Sequence, residues 1–336
     1  MSAKSSQTPS NATPTQVANG VYQLPLPTPF AVGDVNVYII MDNDHMTLVD
    51  VGPYTEEAWL ALNQGLQVIG KKLEDVDQII LTHHHVDHIG QLERVKQVTQ
   101  TAVYAHPLAA PYVELNESFM QFHDQFFTRL YRECGMQEEL LDVVKRYRGM
   151  MNKFQQKSSV DYWLEHEQVL PHLPDWQVIY TPGHSQSHLS LYRLADQVMI
   201  AGDHLIAHVS SNAFIEPPRD QSSTRPLTLV QYRTSLEMVA AMDVKMVFSG
   251  HGEPILNHRK LIMERLQKTW DRTADIRRYL HDGPKTAFEL AALLFPKLYL
   301  KELPLVISET LGHIDLLVTV GQIKVDNREG VLYYQL

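Results

Sequence analysis

The chain has a single cysteine, Cys134, in 336 residues. One thiol cannot close an internal disulfide and fits a reducing compartment. Any bound metal must therefore be held by imidazole and carboxylate rather than thiolate. No run of 18 or more apolar residues occurs, which excludes a membrane-spanning helix. Basic residues are short as well: 29 Lys+Arg stand against 39 Asp+Glu, a net charge of −10. That balance is a poor footing for broad nucleic-acid binding. No G-x-S-x-G elbow, Walker A loop or G-x-G-x-x-G is found, so serine-hydrolase and nucleotide-fold readings have no support. With 44% hydrophobic and 20% charged residues the composition is that of a globular protein, and the length suits one large domain with a smaller one, or two comparable domains. Histidine is plentiful, at 17 residues.

Residues 1–16, MSAKSSQTPSNATPTQ, are polar and lack the apolar core of a secretory signal. They are expected to be a disordered tail, with the cytoplasm as the default location. Beyond them, short β-rich runs (Val35 to Ile40, Met46 to Val49, Val76 to Leu81, Ala102 to Ala105) alternate with helical ones, which argues for a layered α/β fold. Residues of about 108–158 interrupt this alternation. Phe119, Phe122, Phe126 and Leu130 recur at helical spacing, as do Leu140, Val143, Val144 and Tyr147. The segment reads as two inserted amphipathic helices, either extra core or an aromatic lid. Strand-like runs return at Trp176 to Tyr180, Leu189 to Leu194, Val198 to Ala201 and Lys245 to Phe248.

The last 80 or so residues run differently. A long amphipathic helix stops at Gly283-Pro284, Thr286 and Glu289 form a capping box, and a third helix precedes an alternating hairpin. This is winged-helix order. From Arg259 onward, 12 Lys+Arg face 10 Asp+Glu, a weak footprint for a phosphate backbone, so packing or homodimerisation is the expected role.

Chemistry concentrates at HHHVDH, where His83, His85, Asp87 and His88 fall within six residues at the end of a strand-like run. In extended chain His83 and His85 share one side while His84 points away. Asp87 and His88 fall where a helix starts. Three later runs repeat the pattern of an apolar strand, a turn with glycine, and a ligand-type residue: TPGH with His184, AGD with Asp203, and SGHGEP with His251. Glycine before each ligand permits backbone angles that a β-carbon disfavours. Such donors suit zinc, and also iron or manganese. Six or seven N/O ligands exceed one tetrahedral zinc but suit two ions, and a water bridging two divalent ions becomes a nucleophile near neutral pH.

These motifs resemble those of the metallo-β-lactamase superfamily, in the order HHHVDH, TPGHS, AGDH, SGHGEP, over about residues 20 to 258. The resemblance implies an αββα sandwich. It implies that His83, His85 and His184 hold one metal, that Asp87, His88 and His251 hold the second, and that Asp203 bridges them, with Asp87 and Asp203 the catalytic carboxylates. Asp50, in TLVDVG, matches an early motif whose role is structural or supporting. The tail resembles the winged-helix domain that accompanies some of these hydrolases. The expected domains are thus a tail over 1–16, a catalytic domain over 17–258 and a winged-helix-like domain over 259–336.

The expected function is hydrolysis of a small ester, thioester or lactone by a metal-bridging hydroxide, with two divalent ions, zinc foremost. Phosphodiester hydrolysis of the ribonuclease type and a mono-iron dioxygenase on the same scaffold are the alternatives, with a DNA-binding regulator more remote. His85 stands where diiron oxygen-reducing relatives carry an acidic residue, which speaks against a reductase. His204, His208, His123 and Tyr54 are further candidates to touch substrate, His204 and His208 also to orient Asp203. His106, His45, His166, His172, His258, His281 and His313 are expected to be structural, and Cys134 a buried small residue.

Overall fold

The computed structural model describes residues 13–220 and 224–336. Residues 1–12 of the expected tail lie outside the described residues. The tail boundary is corrected at its other end: Thr15 and Gln16 belong to strand β1 (Thr15–Ala18), where Thr15 pairs with Gln23.

Seven strands form the first sheet in sequential order: β1, β2 (Val21–Leu26), β3 (Val35–Asp42), β4 (His45–Val49), β5 (Gln78–Ile80), β6 (Ala102–Ala105) and β7 (Tyr162–Trp163). The first four are antiparallel, and β4 to β7 run parallel. Their crossovers carry α1 (Glu56–Val68), the short α2 (Val86–Ile89), α3 (Leu92–Thr99), the short α4 (Ala110–Val113), α5 (Glu117–Glu133) and α6 (Val143–Met151). The second sheet contains β8 (Val169–Leu170), β9 (Leu173–Tyr180), β10 (Leu189–Arg193) and β11 (Val198–Gly202), then β12 (Met246–Ser249) parallel to β11 after α7 (Thr228–Ala241).

The period of two in the strands builds the layers. In β3, Val37 and Ile39 pack under α1 and α3 with Leu62, Leu66 and Val95, whereas Tyr38 and Ile40 turn to the second sheet and meet Trp176, Leu191 and Phe248. In β11, Val198 and Ile200 face the first sheet, and Met199 and Ala201 face Leu236 and Val239 of α7. Helix, sheet, sheet, helix is the expected sandwich.

The C-terminal region contains α8 (His258–Leu280), β13 (Lys285–Thr286), α9 (Ala287–Leu294), α10 (Leu303–Thr319), and the hairpin of β14 (Lys324–Arg328) and β15 (Val331–Gln335). The expected capping box is present, with Glu289 N–H donating to Thr286 Oγ1 and Thr286 N–H to Glu289. The expected boundary at 258 marks the start of α8 but not a gap between cores. Ile262 and Leu266 pack with the catalytic sandwich, and Ile276 and Leu280 pack with α9 and α10. The aromatic stripe of the insertion belongs to this second core: Phe126, Phe127, Leu130 and Tyr131 bury against Leu290, Ile307, Leu311 and Tyr334. That part of the insertion is core, not lid.

Candidate metal centre

The loops that follow β5, β9, β11 and β12 converge at one end of the sandwich. The β5 ladder ends at Ile80, the chain bends at Thr82, and His85, with extended backbone, is the N-cap of α2. Gly183 (φ 138°) and Gly202 (φ 47°) adopt backbone angles that other residues rarely take, as expected. Gly250 has a different reason: a β-carbon there would lie 2.1 Å from Asp203 Oδ1. Glycine is required at that position for space, not for conformation.

All seven sequence-selected residues meet. Donor atoms of His83, His85 and His184, of His83, His88 and Asp203, and of Asp87, His88 and His251 lie within 4.8 Å of one another in each group. His85 Nδ1 is 3.0 Å from His83 Nε2 and 2.9 Å from His184 Nε2. Asp203 sits between the groups, with Oδ1 3.4 Å from His88 Nε2 and Oδ2 3.5 Å from both His184 Nε2 and His251 Nε2. Asp87 Oδ2 is 3.3 Å from His251 Nε2.

The outer ring nitrogens reveal the tautomers. His184 Nδ1 and His251 Nδ1 face the carbonyls of Asn212 (2.9 Å) and Asp34 (2.8 Å), which can only accept, so both nitrogens carry protons. His88 Nδ1 donates to Asp50 Oδ2 at 2.8 Å. The Thr82 hydroxyl donates to Asp50 Oδ2 (2.7 Å) and so accepts from His83 Nδ1 (3.0 Å). In the neutral rings, therefore, the Nε2 lone pairs of His83, His88, His184 and His251 all point inward. His85 Nδ1 can donate to only one of the two nitrogens it faces, so at least one N···N contact has no proton between its atoms. His88 Nε2, His251 Nε2 and Asp203 Oδ1 are buried without a hydrogen-bond partner. Converging lone pairs, carboxylates and orphaned acceptors are what a cation satisfies.

Without a metal, electrostatics divides the cluster. Burial, then the neighbouring His184, holds His85 down to about 3, and burial with four surrounding histidines keeps His83 well below the usual range. Burial also disfavours charge on His251, but Asp203 and Asp87 outweigh it and raise the ring to about 10. His88 is raised against burial by Asp203, Asp50 and Asp87. His83 and His85 thus stay neutral, whereas the carboxylates around His88 and His251 favour positive charge at that side, the charge a bound cation would supply.

Sequence reasoning finds only part of the supporting structure. Asp50 accepts three hydrogen bonds, two from Thr82 and one from His88. His188 escapes it, although this residue follows His184 by four positions in the same turn. It is fully buried, donates to Thr181 Oγ1 and accepts the backbone N–H of Asp203 at 3.1 Å. His84 points away as expected, hydrogen-bonded to Ser187 (2.8 Å) and stacked on Tyr112 at 3.6 Å. The carbonyls of Asp34 and Asn212 have no side-chain signal that could mark them.

The remaining candidates stay outside the cluster. His204 is buried beside Tyr232 with both ring nitrogens unpartnered, and His208 reaches the Val32 carbonyl. His123 packs on Phe127, and Tyr54 is exposed. Cys134 is buried, as expected. His106 stacks on Tyr180 at the wall of a separate cavity.

A sequence profile described as the Metallo-beta-lactamase superfamily matches residues 31–251. The chain is 39% identical over 297 residues to "Probable metallo-hydrolase YqjP" of Bacillus subtilis (strain 168), covering 88% of this chain and 92% of that protein. Identity to "Probable metallo-hydrolase YflN" of the same organism is 27% over 248 residues, covering 71% of this chain and 86% of the relative. Among solved structures, a metallo-beta-lactamase family protein from Thermus thermophilus superposes with a TM-score of 0.80 at 27% identity, covering 96% of this chain and 100% of that one. A beta-lactamase domain protein from Burkholderia ambifaria shares the fold, with a TM-score of 0.77 at 20% identity over 98% and 97% of the two chains.

Proposed function

The chain belongs to the metallo-beta-lactamase superfamily, and within it we propose a hydrolase of small esters, thioesters or lactones that works with two zinc ions. The observation that carries this reading is the set of fixed Nδ1 hydrogen bonds, which aim the Nε2 atoms of four histidines, with the carboxylates of Asp87 and Asp203, into adjoining donor groups. His83, His85 and His184 would hold one ion, Asp87, His88 and His251 the other, with Asp203 shared. When bound, such ions supply Lewis acidity toward the scissile carbonyl and lower the pKa of a water molecule.

The chain's own residues set the conditions for that chemistry. Asp50 and Thr82 lock the His88 and His83 tautomers. His188 fixes the backbone of Asp203, and Gly250 leaves room for its carboxylate. Phe214, 5.1 Å from His85 and 5.5 Å from His184 by ring centroids, gives the centre an apolar wall. An apolar wall and an excess of acidic residues suit a small neutral substrate better than a polyanion. The C-terminal unit, in winged-helix order, is assigned to packing, in keeping with the core it shares with the insertion.

The test combines elemental analysis with a panel of lactones, thioesters, esters and phosphodiesters. Wild-type protein should hold close to two metal equivalents and turn over at least one carboxylic substrate class. Asp203→Asn should lose at least 100-fold in turnover while keeping its circular dichroism. One metal equivalent, hydrolysis restricted to phosphodiesters, or retained activity in Asp203→Asn would each overturn the corresponding part.

A further inference from the structure

Three rings run outward from the metal centre: His85, then His84 at 5.2 Å, then Tyr112 stacked on His84. Beyond that stack lies a cavity of about 850 Å³ that none of the seven clustered residues lines. Its volume is in the range of small-molecule sites. Tyr112, Phe119, Tyr180 and His106 supply aromatic surface; His106 and Tyr180 are parallel to within 1° at 4.5 Å, and Phe119 meets Tyr112 edge-on at 5.0 Å.

One acidic group in this wall is buried, Glu216, 6% exposed. Its Oε1 accepts the backbone N–H of Gln186 at 2.8 Å, and its other polar neighbours are neutral hydroxyls, Tyr112 at 3.5 Å from Oε2 and Ser185. Among the described residues no Lys or Arg pairs with it, and the nearest basic group, His84 Nε2 at 3.9 Å, belongs to a ring that burial holds well below the usual histidine range and so keeps uncharged. Arg219 also lines the cavity but is solvent-exposed and presses on His106 rather than Glu216. Burial raises the Glu216 carboxyl to about 7, the mark of a charge that lacks a partner.

A buried acid without a counter-ion, in a cavity lined by aromatic rings, has the elements that recognise a flat cation: a carboxylate acceptor for N–H groups and π-systems for the delocalised charge. We propose that this cavity is a second ligand site, separate from the metal centre, that takes a planar amidinium-type cation, with Glu216 accepting its N–H groups and Tyr112 and Tyr180 covering its faces. The competing role for Glu216 is to hold the Gln186 backbone and nothing else.

Isothermal titration of the metal-loaded full chain with benzamidine, benzyl alcohol and benzoate separates the two. Benzamidine should bind saturably at one site, with benzyl alcohol at least tenfold weaker and benzoate not saturable. Glu216→Gln keeps an acceptor for Gln186 but should weaken benzamidine at least tenfold. Phe119→Ala, at the partly exposed wall, should weaken it several-fold and serves if Glu216→Gln does not fold. Asp203→Asn should leave benzamidine affinity within twofold, which distinguishes this site from the metal centre. The proposal is overturned if wild type shows no saturable benzamidine binding, if benzoate or benzyl alcohol binds as tightly, if Glu216→Gln or Phe119→Ala changes nothing, or if Asp203→Asn abolishes binding.

Discussion

Asp50→Asn probes how far the outer hydrogen bonds control the centre. Asp50 is a non-glycine residue in the left-handed region (φ 60°), and Asn is among the few residues that tolerate it, so backbone and volume are preserved. Its carboxylate is 2% exposed and accepts Thr82 N–H at Oδ1 and both Thr82 Oγ1–H and His88 Nδ1–H at Oδ2. Asparagine has one oxygen for three donors. In one orientation its amide opposes the Thr82 N–H. In the other it faces His88 Nδ1, which must then give up its proton and place it on Nε2, the atom aimed at the metal. A hydrogen bond to a charged group is worth about 1.5–3 kcal/mol, and loss of such an outer partner costs roughly 10–100-fold in metal affinity, about 1.4–2.7 kcal/mol. The group with His88 should therefore weaken by that factor. The group with His83, one bond further away through Thr82, should weaken less. Chelator competition that resolves two affinities measures both. Affinities within twofold of wild type at both sites, or a larger loss at the His83 group, would refute the reasoning.

Asp315→Asn breaks the bidentate contact to Arg225, both arms 2.6 Å, and leaves a largely buried guanidinium unpaired. It should cost about 3 kcal/mol in urea unfolding, and a loss under about 0.5 kcal/mol would refute that. Glu216 is raised from 4.5 to about 7 by burial, so the folded state binds the proton more tightly than the unfolded state. Stability at this site is complete below about pH 4.5 and falls as pH rises to 7, by up to about 3 kcal/mol. Glu216→Gln should consequently gain stability over wild type at pH 8 but not at pH 4.5, and equal differences at both would contradict the assignment. Phe127→Ala removes a buried ring from the shared core and should cost about 3–5 kcal/mol with no change in substrate profile; a changed profile with intact stability would restore the lid reading.

The centre is legible in the sequence because its ligands are local signals. HHHVDH puts four donors at one strand end, and each later ligand follows its own apolar strand and glycine, so sheet order alone brings them together. The sandwich is legible through period-two strands such as β3 and β11, whose alternate residues serve different layers. The fate of the insertion is not. Phe119, Phe122, Phe126 and Leu130 carry the same spacing whether they face a ligand or another helix, and the partners of Phe126 and Leu130 lie more than 140 residues downstream in α9 and α10. Gly250 stands out in the sequence for the wrong reason, since close approach of Asp203 is a tertiary fact. His188 is readable in TPGHSQSH, but its bond to a backbone N–H has no sequence counterpart.

The loop between β11 and α7 shows why the C-terminal unit cannot be treated as an appendage. This loop supplies the Asn212 carbonyl that fixes His184, the Phe214 ring against His85, and Glu216. Its residues 203–220 contain no helix or strand beyond Asp203, so its own backbone ladder does not hold it. Helices hold it instead: Tyr232 of α7 donates to the His204 carbonyl, Arg265 of α8 to those of Ile206, Ala207 and Val209, and at α10 Asn212 Nδ2 donates to the Leu305 carbonyl, Ile215 N–H to Ser308 Oγ, and Asp315 grips Arg225 beyond the turn. Leu305 is thus joined to His184 through one residue, Asn212, whose side chain meets the helix and whose carbonyl meets the imidazole. An irregular segment fastened at both ends by helices has little freedom to shift the ring it supports. The geometry of His184 is therefore set as much by packing of α10 on the insertion as by the sandwich that carries the motif.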